Sequence, residues 1–452
     1  MNNNLRVFDA SVESFEEIFE TIGTRGKMDL VPVLKAVNEI VDAVRLRGDQ
    51  ALMEYTERFD RARIDASTRK VTPNEVEVAF DSLDRVVLED LRAAADRIES
   101  FHKEQLSKGQ SSFRMRTLDG GEVGMEVRPL ERVGLYVPGG TAPLPSSVLM
   151  NAIPASVVGV GERVMCTPPR PDGTIAPVII AAAKIAGIQD IYKVGGAQAV
   201  AALAYGTETI PKVDKICGPG NIYVNTAKRL VYGTCDIDMF AGPSEILIIA
   251  DDSANARYVA ADMLSQAEHD PLASAVLIST SASLIKEVSA EIERLFETAG
   301  RKEILSRSLS DYAALIKVDD LDQAVEFSNR IAPEHLELCI EEREQDRLLP
   351  SLKHVGAVFM GNFSPEPLGD YFAGPNHVLP TSGTARFFSP LNTTDFLKKI
   401  SVIRYDRDSL RACAHSIARL ANLESLDCHA KSIMIRFEDD KDFFAKPEEK
   451  CL

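Results

Sequence analysis

Residues 191–221 read IYKVGGAQAVAALAYGTETIPKVDKICGPGN, and this stretch contains one complete unit of a parallel α/β fold. An apolar run typical of a strand ends at the glycine pair 195–196, and the alanine-rich residues 197–204 are typical of a helix. A second strand-like run, 215–217, ends at the Gly-Pro-Gly turn 218–220. Because short apolar runs, glycine turns and helical segments alternate in parallel sheets covered by helices, the stretch predicts a βαβ unit.

The same rhythm extends along the chain in two successive series. The strand-like runs are 133–137, 163–166, 191–194 and 215–217 in the first series, and 246–250, 275–279, 313–318, 336–340 and 357–360 in the second. Segments with the length of helices lie between them, at 178–186, 197–204, 222–230, 254–268, 282–299 and 320–331. Two such series predict an α/β protein with two doubly wound, Rossmann-like domains.

The regions outside these series have other patterns. Apolar residues recur at helical spacing within residues 10–112 and again at about 408–433, and residues 120–127 alternate like a hairpin arm. The stretch 361–391 is rich in glycine and proline, which is typical of a loop. We therefore expect four regions, which are a helical N-terminal arm at 1–30, a discontinuous first α/β domain at 31–131 plus 245–391, a second α/β domain at 132–244, and a small C-terminal helical domain at 392–452.

Composition and charge exclude several classes of protein. The 452 residues, 45% of them hydrophobic, suffice for two domains with buried cores. A net charge of −17 argues against a nucleic-acid partner, which requires a concentrated basic face. Apolar runs stay below the ~20 residues that span a bilayer, and the amino terminus has no secretory pattern. The seven cysteines form no Cys-x-x-Cys pair, so we expect a cytoplasmic protein with structural cysteines.

Four of the seven histidines lie close in sequence to a carboxylate or a carboxamide. The pairs are Gln266 with His269, Glu334 with His335, Asp370 with His377, and Glu424 with His429. Imidazole binds borderline metals and transfers protons near neutral pH, and a neighbouring carboxyl or amide group orients it. The four pairs therefore predict one metal-dependent active site that folding assembles.

Each pair taken alone also fits a structural role. The first pair shares one face of a helix, where it suits either a cation or an ordinary polar helix end. The second pair suits acid–base chemistry if it lies in a loop, since consecutive strand residues face opposite ways. The third lies in the glycine-rich loop, which is either functional or a connector. The fourth has a spacing of five residues, which puts its members on different faces of a regular helix.

Three glycine turns follow predicted strands and precede predicted helices, at 138–140, 195–196 and 218–220. Backbone N–H groups at such turns can face a phosphate group. None of the turns contains a full G-x-G-x-x-G pattern, so a nucleotide site and a plain βα turn both stay open.

Taken together, these segments resemble the histidinol dehydrogenase family. The resemblance covers about residues 132–429 and rests on motifs that occur in order. They are YVPGG at 136–140, VGGAQ at 194–198, GPGN at 218–221, AGPSE at 241–245, SQAEH at 265–269, APEH at 332–335, GDY at 369–371 and NHVLPT at 376–381.

The resemblance implies NAD-dependent oxidation of L-histidinol to L-histidine through an aldehyde, which is the last step of histidine biosynthesis. It implies one zinc ion per subunit, with the ligands Gln266, His269, Asp370 and His429. Glu334 and His335 resemble the catalytic acid–base pair. The substrate contacts would be Ser244, His377 and Glu424 together with His335 and the four zinc ligands, and the NAD contacts would be Tyr136, Gln198 and Asn221.

The resemblance further implies a homodimer with shared active sites, in which an exchanged C-terminal segment brings Glu424 and His429 to the neighbouring subunit. Three other readings of the residues stay open. They are a related zinc- and NAD-dependent dehydrogenase for another small polar alcohol, a zinc hydrolase that activates water, and a non-catalytic protein stabilised by a metal.

Overall fold

A computed structural model describes residues 5–22, 31–139, 143–240 and 242–444 of the chain. Its strands are β1 (Arg6–Asp9), β2 (Phe113–Arg116), β3 (Glu122–Pro129), β4 (Arg132–Tyr136), β5 (Glu162–Thr167), β6 (Asp190–Lys193), β7 (Lys215–Cys217), β8 (Asp236–Ile237), β9 (Glu245–Ala250), β10 (Ser274–Ser279), β11 (Ala314–Lys317), β12 (His335–Cys339), β13 (Ala357–Met360) and β14 (Leu397–Arg404).

The helices that connect and cover these strands range from a single turn to more than six turns. They are α1 (Phe15–Ile22), α2 (Val31–Arg47), α3 (Asp49–Asp60), α4 (Pro73–Asp81), α5 (Arg85–Lys108), α6 (Pro145–Val157), α7 (Pro177–Ile185), α8 (Gly196–Tyr205), α9 (Ile222–Val231), α10 (Ala256–Ala267), α11 (Ala282–Phe296), α12 (Lys302–Tyr312), α13 (Leu321–Ile331), α14 (Glu342–Leu348), α15 (Glu366–Tyr371), α16 (Arg407–Leu423), α17 (Asp427–Met434) and α18 (Lys441–Phe444). Among the helices of the described residues, none combines the length and apolar character that crossing a membrane requires.

Two parallel sheets lie within one compact unit, which comprises residues 1–108 and 130–396. The five-stranded sheet has the order β6-β5-β4-β7-β8, so the chain runs outward from β4 to β6 and then returns to the other side of β4. The strand order therefore reverses between β4 and β7. Such a reversal is the mark of a doubly wound fold.

The six-stranded sheet repeats this order with β9, β10, β11, β12 and β13, and β1 adds a sixth parallel strand beside β11. Its strand order reverses between β9 and β12. All six residues of β9 are buried, because helices cover both faces of the sheet. The prediction of two doubly wound, Rossmann-like arrangements is confirmed.

The N-terminal helices pack differently from the grouping expected from the sequence. Helices α2 and α3 contact α8, and α4 and α5 contact α7. Val37 and Val41 of α2 share a buried apolar cluster with Val200 of α8. The helices within 31–108 thus cover the five-stranded sheet, whereas the expected grouping joined 31–131 to the segment that forms the other sheet.

The second compact unit comprises residues 109–129 and 397–452. It contains an antiparallel sheet of order β14-β3-β2, with Lys399 opposite Val127, and the helices α16 to α18. The predicted hairpin arm at 120–127 is part of β3. The helices α16 to α18 agree with the expected small C-terminal helical domain, and its long strand β14 is an addition that the sequence pattern did not indicate.

Candidate active site

Glu334 and His335 lie where β12 begins, next to the first residue of β9. The backbone N–H of Glu245 donates to Oε2 of Glu334 at 2.8 Å. The ring nitrogen Nδ1 of His335 lies 2.9 Å from the carbonyl oxygen of Glu245. Because a carbonyl oxygen only accepts, Nδ1 carries the proton and Nε2 remains as the basic nitrogen. The backbone N–H and C=O of a single residue, Glu245, thus fix both side chains and set the tautomer of the imidazole.

This pair occupies an unusual edge of its sheet. His335 is the first residue of β12, and Glu334 precedes it, at the amino ends of the parallel strands. Ligands in open α/β sheets usually lie at the carboxyl ends. Ser244, a predicted substrate contact, is half-buried immediately before β9 and therefore lies at the same edge. Glu334 lies in the loop before the strand, whereas His335 is the first strand residue, and both side chains nevertheless meet the backbone of Glu245.

A cluster of groups that could hold a metal ion lies along α15. One ligand atom each from His269, Glu366 and Asp370 lies within 4.8 Å of the others. Nδ1 of His377 lies 3.3 Å from Oδ1 of Asp370. Gln266, on the last turn of α10 before His269, is fully buried, and neither its amide oxygen nor its nitrogen has a hydrogen-bond partner among the described residues. An unpaired buried amide beside an acidic cluster suits a cation.

Glu366 was missed in the sequence reading, because the stretch 361–391 was expected to be a loop. Part of that stretch instead forms α15, and this expectation was wrong there. The prolines at 365 and 367 are compatible with a helix start, since the first turn needs no backbone donor from proline. The spacing of four residues between Glu366 and Asp370 could have indicated the site, because it places both carboxyl groups on one face of a helix.

His335 adjoins the cluster of candidate metal ligands. Nε2 of His335 lies 4.0 Å from Oε1 of Glu366. Glu366 is 1% exposed and His335 is 4% exposed, so this junction excludes most water. Three of the predicted pairs, those of His335, His269 and His377, are therefore connected through α15 and the edge of β12.

Burial dominates the electrostatics of this site. It raises the pKa of Glu334 well above its usual range, and it raises the pKa of Glu366 to about 9 with the help of Asp370. It lowers the pKa of His335 to about 4, so this imidazole is neutral at physiological pH. Burial also opposes the ionisation of Asp370, but the neighbouring His377 lowers the pKa of that carboxyl to about 2.

The predicted NAD contacts lie at the carboxyl ends of the five-stranded sheet. Tyr136 ends β4, and its hydroxyl oxygen accepts the backbone N–H of Gly196 at 3.1 Å. Gln198, in the first turn of α8, is 1% exposed, and its amide has no hydrogen-bond partner among the described residues. Asn221 is exposed and caps α9, where Oδ1 accepts the N–H groups of Tyr223 and Val224.

The glycine turns at this edge require glycine. Gly218 has a φ of +118°, and a Cβ atom there would lie 2.0 Å from the carbonyl oxygen of Tyr136. A Cβ on Gly220 would lie 2.3 Å from Cγ1 of Val224. Gly218 thus lets two backbone segments approach closely, and Gly220 leaves room for the side chain of Val224. Gly140 of the first predicted turn and Ala241 of the AGPSE motif lie outside the described residues.

Glu424 and His429 belong to the second compact unit, and both are exposed. The expected single helix at 408–433 is divided, because α16 ends at Leu423 and α17 begins at Asp427. Ser425 between them has a φ of +61°, which interrupts the helical path. The different-face argument for a regular helix therefore does not apply, and the assignment of both residues to the active site stays a prediction.

Known proteins resemble this chain over nearly its whole length. A family model described as histidinol dehydrogenase matches residues 24–437. A histidinol dehydrogenase of Syntrophotalea carbinolica is 50% identical over 437 residues, which cover 96% of this chain and 100% of that protein. One from Clostridium acetobutylicum is 47% identical over 97% of this chain and 100% of its own length. The crystal structure of histidinol dehydrogenase from Elizabethkingia anophelis superposes with a TM-score of 0.89 at 36% identity, covering 96% of this chain and 98% of that one.

These similarities, in a chain with two doubly wound sheets, define an oxidoreductase that acts on a CH–OH group. More particularly, the chain belongs to the histidinol dehydrogenase family.

Proposed function

We propose that this chain oxidises L-histidinol to L-histidine through histidinaldehyde, with one zinc ion per subunit and two NAD molecules per substrate. The observation that carries the proposal is the junction between His335 and Glu366, which joins a buried acid–base pair to a metal-binding cluster in a chain of this family. The reaction would complete histidine biosynthesis, and we propose the cytoplasm as its location.

The residues suit zinc. Gln266, His269, Asp370 and the predicted His429 offer nitrogen and oxygen donors, and the buried amide of Gln266 lacks any other partner among the described residues. When bound, zinc would hold the polar groups of the substrate in a fixed orientation. Glu366 lies within the same cluster and offers a further carboxyl oxygen, and a bound cation would favour the ionised form of this buried group.

His335 supplies the base. Its Nδ1–H group is held by the carbonyl of Glu245, and its neutral Nε2 can therefore accept the hydroxyl proton as the carbon-bound hydrogen leaves as hydride. NAD would accept that hydride in each of the two oxidations. The low pKa of His335 keeps the base unprotonated across the physiological range.

Glu334 would activate water for the second oxidation. Aldehyde oxidation requires a hydrated aldehyde, and Glu334 can remove a proton from the attacking water when it is ionised. Burial and the surrounding carboxylates raise its pKa, so ionised Glu334 depends on positive charge nearby. The N–H group of Glu245 orients the carboxylate.

Tyr136, Gln198 and Asn221 would hold NAD. The buried amide of Gln198 has unused hydrogen-bonding groups among the described residues, and the turns at Gly218 and Gly220 leave no room for side chains. Ser244, His377 and Glu424 would contact the substrate. A carboxylate such as that of Glu424 is the natural partner of the ammonium group of histidinol.

We further propose that the active form is a homodimer in which Glu424 and His429 act in the neighbouring subunit. Both residues are exposed in the second compact unit, so their side chains are accessible to another chain.

The deciding experiment is an assay of the purified, zinc-loaded full chain with L-histidinol and NAD. Formation of two NADH per histidine is expected, and histidinaldehyde should give one. NADH formed only from a different alcohol would favour the related-dehydrogenase reading. Absence of NAD binding in calorimetry, together with hydrolysis of a test ester or amide, would favour the hydrolase. A metal that raises the melting temperature without any turnover would favour the non-catalytic reading.

A further inference from the structure

A fully buried ion pair lies behind the Gly218 turn. Nζ of Lys228, on α9, lies 2.5 Å from Oδ1 of Asp238, which follows β8. Each side chain is 1% exposed. The free energy of removing two charges from water offsets much of their Coulombic attraction, so a buried ion pair adds little net stability to the fold. Its hydrogen bonds indicate another role.

Both charged groups bind the peptide groups of Gly218. Nζ of Lys228 donates to the carbonyl oxygen of Gly218 at 2.6 Å, and the N–H of Gly218 donates to Oδ2 of Asp238 at 2.7 Å. Oδ1 of Asp238, the oxygen that pairs with Lys228, also accepts the N–H of Met239 at 2.6 Å. Charge-assisted hydrogen bonds are stronger and more directional than neutral ones. The ion pair therefore fixes the orientation of the Gly218 backbone on both sides.

The orientation of Gly218 determines where two proposed NAD contacts lie. Gly218 packs against the carbonyl group of Tyr136, where even a Cβ atom would collide. Three residues later, Asn221 caps α9, the helix that carries Lys228. Helix α9 also holds the turn itself, because Nδ2 of Asn225 donates to the carbonyl oxygen of Gly220 at 2.9 Å. A shift of the Gly218 peptide would move the turn away from Tyr136 and would also displace Asn221.

We infer that Lys228 and Asp238 are positioning residues for NAD, because they clamp the Gly218 turn in the conformation that the dinucleotide meets. The inference rests on the proposed function, in which NAD binds at this edge of the five-stranded sheet. Neither residue contacts the nucleotide. Their contribution is to remove alternative conformations of the turn before NAD arrives, so that binding does not have to order it.

The test compares NAD affinity and zinc content in full-length variants. The double variant Lys228→Met with Asp238→Asn leaves no unpaired buried charge, and the asparagine can still accept the N–H of Gly218. The variant loses the Lys228 donor to the carbonyl oxygens of Gly218 and Met239, and it loses the second carboxylate oxygen, which accepts the N–H of Met239. We expect NAD to bind about tenfold more weakly in calorimetry, because a small misplacement of a binding element suffices for such a loss. Zinc content, histidinol binding and kcat at saturating NAD should stay unchanged.

Lys215→Met is the matched control. Lys215 starts β7, the strand that ends just before Gly218, and its Nζ lies 3.1 Å from Asp236 and donates to the carbonyl of Asp395 at 2.9 Å. Its side chain is 7% exposed, so the control also removes a buried lysine from the same sheet. We expect a lower melting temperature with NAD affinity unchanged. Equal loss of NAD affinity in the control and in the double variant would overturn the inference.

Gln198→Leu separates failure of the inference from failure of the NAD site. If Gln198→Leu weakens NAD binding and the double variant does not, NAD binds as proposed but the ion pair does not position it. If neither substitution changes NAD affinity, NAD does not bind at this edge, and both the NAD site and the inference are wrong.

Discussion

Two hydrogen bonds to the backbone of Glu245 hold the side chains of Glu334 and His335 in defined orientations. The backbone donor orients the carboxylate, and the backbone acceptor fixes the proton on Nδ1 of the imidazole. Both partners are main-chain groups at the start of a buried strand, so they cannot change rotamer. Substitutions at either side chain can therefore be interpreted chemically.

His335→Asn should abolish most activity while zinc stays bound. The asparagine amide can still donate to the carbonyl of Glu245, but it has no basic nitrogen in place of Nε2. We expect kcat to fall by roughly 10²–10⁴ for both histidinol and histidinaldehyde, which is the usual worth of a general base. Steady-state kinetics with each substrate and metal analysis provide the measurement. Loss of zinc from the variant would show instead that His335 is a ligand.

Glu334→Gln should affect the two oxidations unequally. The amide oxygen can still accept the N–H of Glu245, so His335 and the strand edge should keep their places. Only the aldehyde step needs activated water, and we expect histidinaldehyde oxidation to slow by about 10²-fold while alcohol oxidation changes much less. Single-turnover assays started from each substrate separate the two steps. Equal losses would contradict the water-activating role.

Helix α15 is the element that supplies two of the candidate metal ligands, because it presents Glu366 and Asp370 on successive turns. It is anchored from β12, where Oε1 of Glu337 accepts the backbone N–H of Glu366 at 2.8 Å. Glu337 lies two residues after His335, so both side chains project from the same face of the strand. One strand therefore positions the proposed base and also holds the helix that carries two candidate metal-binding acids.

Glu337→Leu should weaken zinc binding, and Glu337→Gln should not. Burial, together with Asp262, raises the pKa of Glu337 to about 9, so this side chain is neutral near pH 7 and glutamine is a close substitute. Leucine removes the acceptor and frees the start of α15. We expect roughly 10–100-fold weaker zinc binding for leucine, the usual cost of losing a supporting contact. Competition with a chelator gives the affinities, and equal affinity of the two variants would contradict the role.

The sequence predicted the elements better than their pairing. Buried parallel strands are short apolar runs between helices, so both sheets were evident from local patterns. The antiparallel pairing of β3 with β14 joins residues 122–129 to 397–404, and such a register depends on tertiary contacts that periodicity does not encode. Glu366 was not predicted as a site residue for a related reason. The prolines on either side of it suggested a loop, and its spatial neighbours His269 and His335 are distant in sequence.

The molecule as a whole divides its proposed catalytic residues between two compact units. Glu334, His335, His269 and Asp370 belong to the unit with both parallel sheets, whereas His429 belongs to the unit built around β14. If His429 acts in the neighbouring subunit, each active site of a dimer takes Glu334, His335, His269 and Asp370 from one chain and His429 from the other. Two variants that are inactive alone can then complement each other, since a mixed dimer has both defects in one site and none in the other.

Mixing His335→Asn with His429→Ala chains should therefore restore activity. Random pairing makes half of the dimers mixed, and each mixed dimer has one intact site, so we expect roughly a quarter of the unmodified activity. The measurement is NADH formation from histidinaldehyde, the step that all these variants should impair, after subunit exchange or co-expression with distinguishable tags. Glu334→Gln mixed with His335→Asn is the control, because both residues come from the same chain at every site and no intact site can arise. Activity that stays absent in the first mixture, with mixed dimers isolated by their tags, would place His429 in its own subunit's site or outside the site altogether.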